Sequence, residues 1–317
     1  MNLQLQNKLA LVTGSTADIG FAVAKALAAE GARVIVNGRA EARVAEAISS
    51  IRSDIPSARL EALALDLSKA ESALEATKRF PDLDVLVNNL GVYQPKPFEQ
   101  ITDAEWSAII ETNFLSGVRL SPHYLLRMKT GGWGRIIFIS SESAVNIPVE
   151  MIHYGVTKTM QVALASGLAA TTAGTGVTVN SVLAGPTRSE GVEKFVADIA
   201  KSKNTTTPAE VEQEFFRTVR TSSLLQRFAT TDELAAMVAF VASPLSSATN
   251  GAALRVGRRC RALDSLSLAT IAFGSRQQIC GRNSQPRGQL FDGKQRRVAR
   301  APLNVRNIGA VQIGAFS

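Results

Sequence analysis

Short apolar runs alternate with longer amphipathic stretches along the first 256 residues of the chain. The apolar runs predict strands at residues 8–13, 32–36, 60–65, 84–88, 135–140, 177–183 and 252–256. Apolar positions at helical spacing predict helices at residues 19–31, 40–53, 69–80, 102–129, 151–172 and 232–242, and residues 190–228 are polar and helical in character. Strands that are separated by helices form a parallel sheet with helices on both faces. The sequence therefore predicts one doubly wound α/β domain.

The positive charge of the chain is concentrated beyond residue 256. The formal net charge is +8, but residues 257–317 alone carry ten arginines, one lysine and two aspartates, so the preceding residues are nearly neutral. We therefore distinguish a body, residues 1–256, with a lid insertion at about 187–228, from a basic tail, residues 257–317. The tail shows neither helical nor strand periodicity, and we expect it to be poorly ordered. A nearly neutral body argues against a nucleic-acid partner.

Three kinds of segment or site are not expected from this sequence. No stretch approaches the roughly 18 apolar residues of a membrane span, and residues 1–10 lack the apolar core of a signal peptide. We therefore expect no membrane partner and a cytoplasmic location. His123 and His153 are isolated in the sequence, and no spacing of ligand residues predicts a metal site.

The turn after the first strand carries a candidate phosphate-binding motif. Residues 13–20 read TGSTADIG, with Gly14 placed to allow a tight turn and the following helix offering free backbone N–H groups. The segment predicts contacts to a dinucleotide pyrophosphate. Asp18 is unexpected there, because a carboxylate near a pyrophosphate weakens binding unless it points away.

Further candidates follow the next strands, at the sheet edge where doubly wound folds bind ligands. Arg39 follows the second strand, where an acidic residue would bind the ribose hydroxyl of NAD; an arginine there favours the 2′-phosphate of NADP. Asp66 follows the third strand, and residues 88–91 (NNLG) follow the fourth.

Tyr154 and Lys158 are the strongest candidates for chemistry. Residues four apart on a helix share one face, and a nearby ammonium group lowers the pKa of a phenol toward the range useful for proton transfer. Ser141 ends a strand 13 residues before Tyr154, and Asn113 lies 28 residues before Ser141 in a long helix.

Six motifs follow one another along the chain: TGSTADIG (13–20), NNLG (88–91), Asn113, Ser141, YGVTK (154–158) and LAGPTRS (183–189). Together they resemble the short-chain dehydrogenase/reductase family, and in particular its 3-oxoacyl-carrier-protein reductase-like members. The resemblance covers residues 8–256. It implies a Rossmann-type fold and hydride transfer between a nicotinamide cofactor and a small carbonyl or secondary alcohol substrate. NADP is the expected cofactor, with NAD as the less favoured choice.

The resemblance also implies roles for individual residues. Tyr154 acts as general acid and base, Lys158 lowers its pKa and holds the nicotinamide ribose, Ser141 binds the substrate oxygen, and Asn113 holds a water that links Lys158 to solvent. The cofactor-binding set comprises Gly14, Ser15, Thr16, Ile19, Gly20, Arg39, Asp66, Asn88, Gly91, Tyr154, Lys158, Thr187 and Ser189. The family usually has glycine at position 18, so a catalytically silent nucleotide-binding protein stays open as the alternative function. Family members commonly form tetramers, and we expect a dimer or a weakened tetramer.

Two explanations of the tail stay open. In the family, the last strand is normally followed by Asp-Gly-Gly, whereas Gly257-Arg258-Arg259-Cys260 stands here. Shifting the reading frame within codons for the family's sequence can yield these four residues, so we expect residues 257–317 to be an out-of-frame product. The alternative is a basic extension that binds RNA or anionic lipid.

Overall fold

The computed structural model describes residues 2–202, 207–221 and 223–257. The predictions for the basic tail concern residues that, apart from Gly257, lie outside this described part of the chain.

Seven parallel strands form one sheet in the order β3-β2-β1-β4-β5-β6-β7. The strands are β1 Leu9–Val12, β2 Arg33–Gly38, β3 Arg59–Ala64, β4 Val85–Asn88, β5 Gly134–Ser141, β6 Val177–Ala184 and β7 Ala253–Val256. Every residue of β4, β5 and β6 is buried. Burial on both faces explains the continuous apolar runs at the centres of β4 and β5, whereas β6 also contains the buried polar residues Thr178, Asn180 and Ser181.

The crossover segments are helical, which confirms the predicted doubly wound fold. The helices are α1 Asp18–Ala29, α2 Glu41–Asp54, α3 Ala70–Arg79, α4 Asp103–Ile110, α5 Ser116–Thr130, α6 Ile152–Ala170, α7 Glu190–Ser202, α8 Pro208–Thr218 and α9 Thr231–Ala242. Buried residues of α1, α2 and α9 pack on one face of the sheet, and those of α3, α5 and α6 pack on the other. No helix in the described residues is long and apolar enough to cross a membrane.

The long helix predicted at residues 102–129 is interrupted once. It begins at Thr102, whose side chain accepts from the Glu105 N–H while the Glu105 carboxylate accepts from the Thr102 N–H, as the sequence predicts. Residues Glu111–Leu115 then form a single π-helical turn between α4 and α5. A π turn contains one residue more than an α turn, so it changes the direction in which Asn113 points.

The polar segment at residues 190–228 contains two helices with a small core of their own. Thr207 and Glu210 form a second capping box at the start of α8. Val196, Val211, Phe216 and Phe228 are buried together against one another. Together with residues 187–189 this segment forms the lid, residues 187–228, which lies between β6 and α9 in sequence. The parallel bridge of Thr187 with Ala229 brings its two ends together.

Candidate active site

A cleft of about 460 Å³ opens at the carboxyl ends of the central strands. Residues that follow β1, β4, β5 and β6 line it, together with α6 and the lid. Ligands bind at this edge in doubly wound folds, because the loops that leave adjacent parallel strands meet there. Among the predicted residues, Gly14, Thr16, Ile19, Gly20, Gly91, Ser141, Tyr154, Lys158, Thr187 and Ser189 line the cleft.

The first wall of the cleft is the glycine turn between β1 and α1. Gly14 has a φ of 61°, which L side chains rarely adopt, and its N–H donates to Asn37 Oδ1 at 3.0 Å. A Cβ atom on Gly20 would lie 2.3 Å from the Gly14 carbonyl oxygen, so only glycine allows α1 to begin this close to the turn. The N-terminus of α1 faces the cleft, and its free N–H groups fit the pyrophosphate of a dinucleotide.

Asn89 fastens the loop after β4 to this turn. Its side-chain amide donates to the carbonyl oxygens of Thr13 and Gly14, both at 3.0 Å, and its backbone N–H donates to the Thr13 hydroxyl at 2.9 Å. The cofactor-binding role of the neighbouring Asn88 stays a prediction; its side chain is buried against Gly117 and does not line the cleft. The alternation of a strand predicts that adjacent side chains point to opposite sides, but it does not say which of the two asparagines faces the ligand.

Three further predicted residues lie outside the cleft lining. The Ser15 hydroxyl donates to the Val12 carbonyl oxygen at 2.7 Å and accepts from the Asn37 N–H, so it holds the turn itself together. Asp66 Oδ1 accepts from the N–H and the hydroxyl of Ser68, which shapes the loop after β3. Arg39 is exposed after β2.

Asp18 lines the cleft beside the glycine turn, and its carboxylate is bound to the start of α7. Its φ is 51°, a left-handed conformation that aspartate tolerates better than most residues. Its carboxylate accepts from the backbone N–H of Glu190 at 2.8 Å, at the start of α7. The side chain that departs from the family pattern therefore binds the lid.

Ser141 and Tyr154 lie together at the inner end of the cleft. Ser141 is the last residue of β5, and its hydroxyl oxygen accepts from the Ser143 N–H at 3.1 Å, which leaves the hydroxyl hydrogen available to a ligand or to Tyr154. Tyr154 lies in the first turn of α6 and is within hydrogen-bonding reach of Ser141. Burial raises the pKa of Tyr154 to about 12, and the hydrogen bond with Ser141 partly opposes this rise. The phenol therefore carries its proton at neutral pH.

Lys158 lies one turn further along α6, with its Nζ atom 5.6 Å from the centre of the Tyr154 ring. The ammonium group donates to the Ile139 carbonyl oxygen at 2.9 Å and to Gln161 Oε1 at 3.2 Å. Burial lowers the pKa of Lys158 to about 8. Burial is the main cause of the pKa shift of both groups. The role that the sequence gives to Lys158, lowering the pKa of Tyr154, stays a prediction.

Asn113 lies behind these residues rather than in the cleft lining. Its side chain accepts from the Val92 N–H at 2.8 Å and donates to the Val92 carbonyl oxygen and to the Thr157 hydroxyl. Its backbone carbonyl accepts from the side-chain amide of Gln161. Gln161 thus joins Asn113 to Lys158, a contact that sequence analysis missed although Gln161 lies three residues after Lys158 on the same helical face.

The lid closes the remaining side of the cleft. The Thr187 hydroxyl donates to the Gly185 carbonyl oxygen, and the Ser189 hydroxyl accepts from the Val192 N–H at the start of α7. Arg220, which follows α8, also lines the cleft and forms an ion pair with Glu142, the residue after Ser141. No group of three metal-binding side chains occurs within residues 2–202, 207–221 and 223–257.

Comparison with known proteins gives one consistent family. The family model described as "short chain dehydrogenase" matches residues 8–200. The chain is 46% identical over 255 residues to the uncharacterized oxidoreductase YvaG of Bacillus subtilis, with 80% of this chain and 96% of that protein covered. It is 35% identical over 257 residues to a D-beta-hydroxybutyrate dehydrogenase of Cupriavidus necator, with 78% and 95% covered.

Solved structures agree with this result. The crystal structure of L-sorbose reductase from Gluconobacter frateurii, in complex with NADPH and L-sorbose, is similar with a TM-score of 0.73 and 25% sequence identity. The similarity covers 81% of this chain and 97% of that one. The match to the family model, the parallel sheet and the neighbouring Ser141 and Tyr154 all indicate the same family. The chain therefore belongs to the short-chain dehydrogenase family of oxidoreductases, which use a nicotinamide cofactor to interconvert a CH–OH group and a carbonyl.

Proposed function

We propose that the chain reduces a small carbonyl compound with NADPH, and oxidises the corresponding secondary alcohol, with Tyr154 as the proton-transferring residue. The observation that carries this proposal is the position of Ser141 and Tyr154 in one cleft with the glycine turn of β1 and α1. The turn is shaped for close approach of a ligand, since a side chain at Gly20 would collide with the Gly14 backbone. These residues fit a dinucleotide.

Each polar group at the inner end of the cleft has a distinct part in the reaction. The nicotinamide, when bound, supplies or accepts the hydride. The Tyr154 hydroxyl donates its proton to the carbonyl oxygen during reduction, because the phenol carries that proton at neutral pH. The Ser141 hydroxyl, oriented by the Ser143 N–H, donates a hydrogen bond to the same oxygen as charge develops on it. The Lys158 ammonium group, fixed by Ile139 and Gln161, is placed to hold the nicotinamide ribose.

Replacement of Tyr154 by phenylalanine tests the reaction. Tyr154→Phe removes the proton donor and keeps the ring, so we expect reduction to fall by about a hundredfold or more, the usual size of a general acid–base contribution. Consumption of NADPH and NADH with a panel of ketones measures the rate, and NADPH fluorescence measures cofactor binding, which stays close to wild type. A variant that reduces ketones at the wild-type rate contradicts the assignment. Tight cofactor binding by the wild type, without turnover of any ketone or alcohol, favours the catalytically silent alternative.

The preference for NADPH over NADH rests on Arg39. It follows directly on Gly38, where a Cβ atom would lie 2.5 Å from the Thr16 side chain, so the end of β2 packs against the glycine turn. The exposed guanidinium is therefore placed to pair with a 2′-phosphate. The NADPH in the similar L-sorbose reductase structure supports the same choice.

Arg39→Asp is expected to weaken NADPH binding by about 1.5–3 kcal/mol, because it removes a hydrogen bond between charged groups and adds a repulsive charge. NADH binding is expected to change little. Fluorescence titration with both cofactors measures the two dissociation constants. Arg33→Asp, at the opposite end of the same strand and paired with Glu61, is the control for net charge. An unchanged NADPH/NADH ratio contradicts the assignment.

A homo-oligomer and a cytoplasmic location complete the proposal. The oligomer rests on the family resemblance, and a dimer through the face of α6, the helix that carries Tyr154, is the assembly that we favour. The cytoplasmic location rests on the sequence pattern alone.

A further inference from the structure

The loop after β4 presents to the cleft an aromatic ring that has no part in the reaction described above. Tyr93 lines the cleft and is 54% exposed. Its ring packs edge-to-face with the ring of Tyr154, with the two centres 6.0 Å apart and the planes at 64°. The remaining surface of the Tyr93 ring therefore borders the space beside Tyr154, where the reacting carbonyl would lie.

The Tyr93 ring is held in place from both ends. The Asn113 side chain accepts from the Val92 N–H at 2.8 Å and donates to the Val92 carbonyl oxygen at 2.9 Å, which fixes the backbone next to Tyr93. At the other end, a Cβ atom on Gly191 would lie 3.0 Å from the Tyr93 hydroxyl oxygen, so the tip of the ring reaches the start of α7. A tyrosine has few rotatable bonds and loses little entropy when a ligand packs against it. Tyr93 is thus a preformed wall of the cleft.

The positive charges along the cleft already have partners or an assigned task. The cations among its described lining residues are Lys158 and Arg220. Lys158 is assigned to the nicotinamide ribose, and Arg220 forms ion pairs with Glu142 and Glu150. A substrate carboxylate beside Tyr93 would lose water without gaining a free cation from these residues, which is costly. We therefore expect an uncharged substrate.

Further apolar side chains line the same cleft. They include Val192, the residue after Gly191 on α7, and Met151, three residues before Tyr154. Aromatic groups gain additional energy from offset or edge-to-face contact with another ring and from contact with a thioether sulfur, whereas saturated groups gain only from the burial of their surface. A flat aromatic group is therefore the substituent that such walls favour.

We propose that Tyr93 is a specificity-determining residue, whose ring packs against an aromatic group on the carbonyl carbon, and that the substrates are uncharged aryl ketones and the corresponding secondary alcohols. The inference rests on the proposed function, since it requires the carbonyl to lie beside Tyr154. Tyr93 selects the substrate and does not take part in the proton transfer.

The test compares ketones of nearly equal size. Acetophenone and cyclohexyl methyl ketone differ in whether the ring beside the carbonyl is aromatic, and acetoacetate carries a carboxylate. Values of kcat/KM are measured with NADPH for the wild type, Tyr93→Leu, which removes the ring, and Tyr93→Phe, which keeps it. Phe98→Leu is the matched control, because Phe98 lies five residues further along the same loop, is 55% exposed and does not line the cleft. A melting curve for each variant shows whether the fold is intact.

We expect the ratio of kcat/KM for acetophenone to that for cyclohexyl methyl ketone to fall by about three- to tenfold in Tyr93→Leu, the size expected of one aromatic pair. The ratio stays at the wild-type value in Tyr93→Phe and in Phe98→Leu, and acetoacetate is the poorest of the three substrates. A loss shared by both ring-bearing ketones reports the missing contact between residue 93 and Tyr154, whereas the ratio reports contact with the substrate.

Several results would overturn the inference while leaving the proposed function intact. An unchanged ratio in Tyr93→Leu would mean that the ring supports Tyr154 alone, and an equal fall in Tyr93→Phe would mean that the hydroxyl recognises the substrate. A wild-type preference for acetoacetate would show that the cleft accepts a carboxylate. Reduction of other ketones but of neither ring-bearing ketone would exclude the substrate class.

A different result would remove the proposed function as well. If the wild type reduces no ketone of the three or of the wider panel, with either cofactor, the assignment of Tyr154 fails together with that of Tyr93.

Discussion

Gln161 joins two groups that the reaction needs in fixed positions. It is 2% exposed, and its amide donates to the Asn113 carbonyl oxygen while its Oε1 accepts from Lys158. The resemblance to the family leads to the expectation that Asn113 holds a water which reaches Lys158. The Gln161 side chain also connects Asn113 with Lys158, and the water stays a prediction. Gln161 therefore positions Lys158 without contacting the substrate.

Two substitutions at Gln161 separate positioning from packing. Gln161→Leu keeps the volume but leaves a buried carbonyl and a buried ammonium group each short of a partner, so kcat is expected to fall by about tenfold. Loss of this hydrogen-bond acceptor also lowers the pKa of Lys158, which burial already lowers to about 8. The decrease of the reduction rate at alkaline pH is therefore expected to begin at a lower pH than in the wild type. Gln161→Ala leaves a polar cavity that a water can occupy, so it retains more activity.

The pH profiles of kcat and the melting temperatures of both variants check this prediction. If Gln161 only fills space, the order of the two activities is reversed. The alanine variant then has the larger cavity and is expected to be both the less stable and the less active of the two. Activities that follow the melting temperatures would show that Gln161 serves packing alone.

At the scale of the elements, the lid is attached to the glycine turn by Asp18. The carboxylate accepts from the first N–H of α7, a position in which a negative charge also interacts favourably with the helix dipole. Movement of the lid and the shape of the cofactor turn are therefore linked through one side chain. The carboxylate still lines the cleft beside the predicted phosphate-binding turn, with one oxygen bound to the lid.

Asp18→Gly is expected to loosen the start of α7, although glycine adopts the positive φ more easily. Loss of the capping oxygen costs about 1 kcal/mol, which corresponds to roughly fivefold faster local opening. Hydrogen exchange of the peptides that contain residues 189–192 measures the effect. Asp18→Asn keeps an acceptor and tolerates the same backbone conformation, so its exchange stays near that of the wild type. Equal exchange in all three proteins would show that the hydrogen bond does not hold the lid.

Periodicity predicted the elements well because most strands here are buried on both faces and most helices have one apolar face. It could not predict the π turn at Glu111–Leu115, since one extra residue barely changes an apolar pattern of this length. The cleft was predicted from Gly14, Ser141, Tyr154 and Lys158, which follow strands or share a helical face. Contacts between distant segments, such as Gln161 with Asn113, depend on packing that no local pattern records.

At the scale of the whole molecule, β7 is the last strand of the sheet that the described residues form. This strand pairs with β6 from Ala253 to Val256, and Gly185 donates to the Val256 carbonyl oxygen at 2.8 Å. The aligned segment of 255 residues covers 96% of the related Bacillus subtilis protein, which is consistent with a body of this length. We therefore propose that the body, without residues 258–317, is sufficient for folding and for cofactor binding.

A chain that ends at Gly257 is expected to keep the melting temperature and the NADPH affinity of the full chain. Calorimetry and fluorescence titration measure these two quantities, and light scattering shows whether both chains form the same oligomer. A chain that ends at Gly251 is the control, because it lacks β7 and is expected to be strongly destabilised. A clear drop in melting temperature for the chain that ends at Gly257 would show that the basic tail contributes to the fold.

The order of the strands also affects how the protein behaves at high concentration. β3 and β7 are the outermost strands of the sheet that the described residues form, and each has one edge whose backbone groups could pair with another chain. β7 is four residues long and carries the exposed Arg255, while β3 carries Arg59 and Glu61. Short, charged edges oppose the edge-to-edge growth of β-sheet aggregates. The two margins of the sheet therefore protect a chain whose central strands are fully buried and mostly apolar, and which would aggregate readily if these strands were exposed.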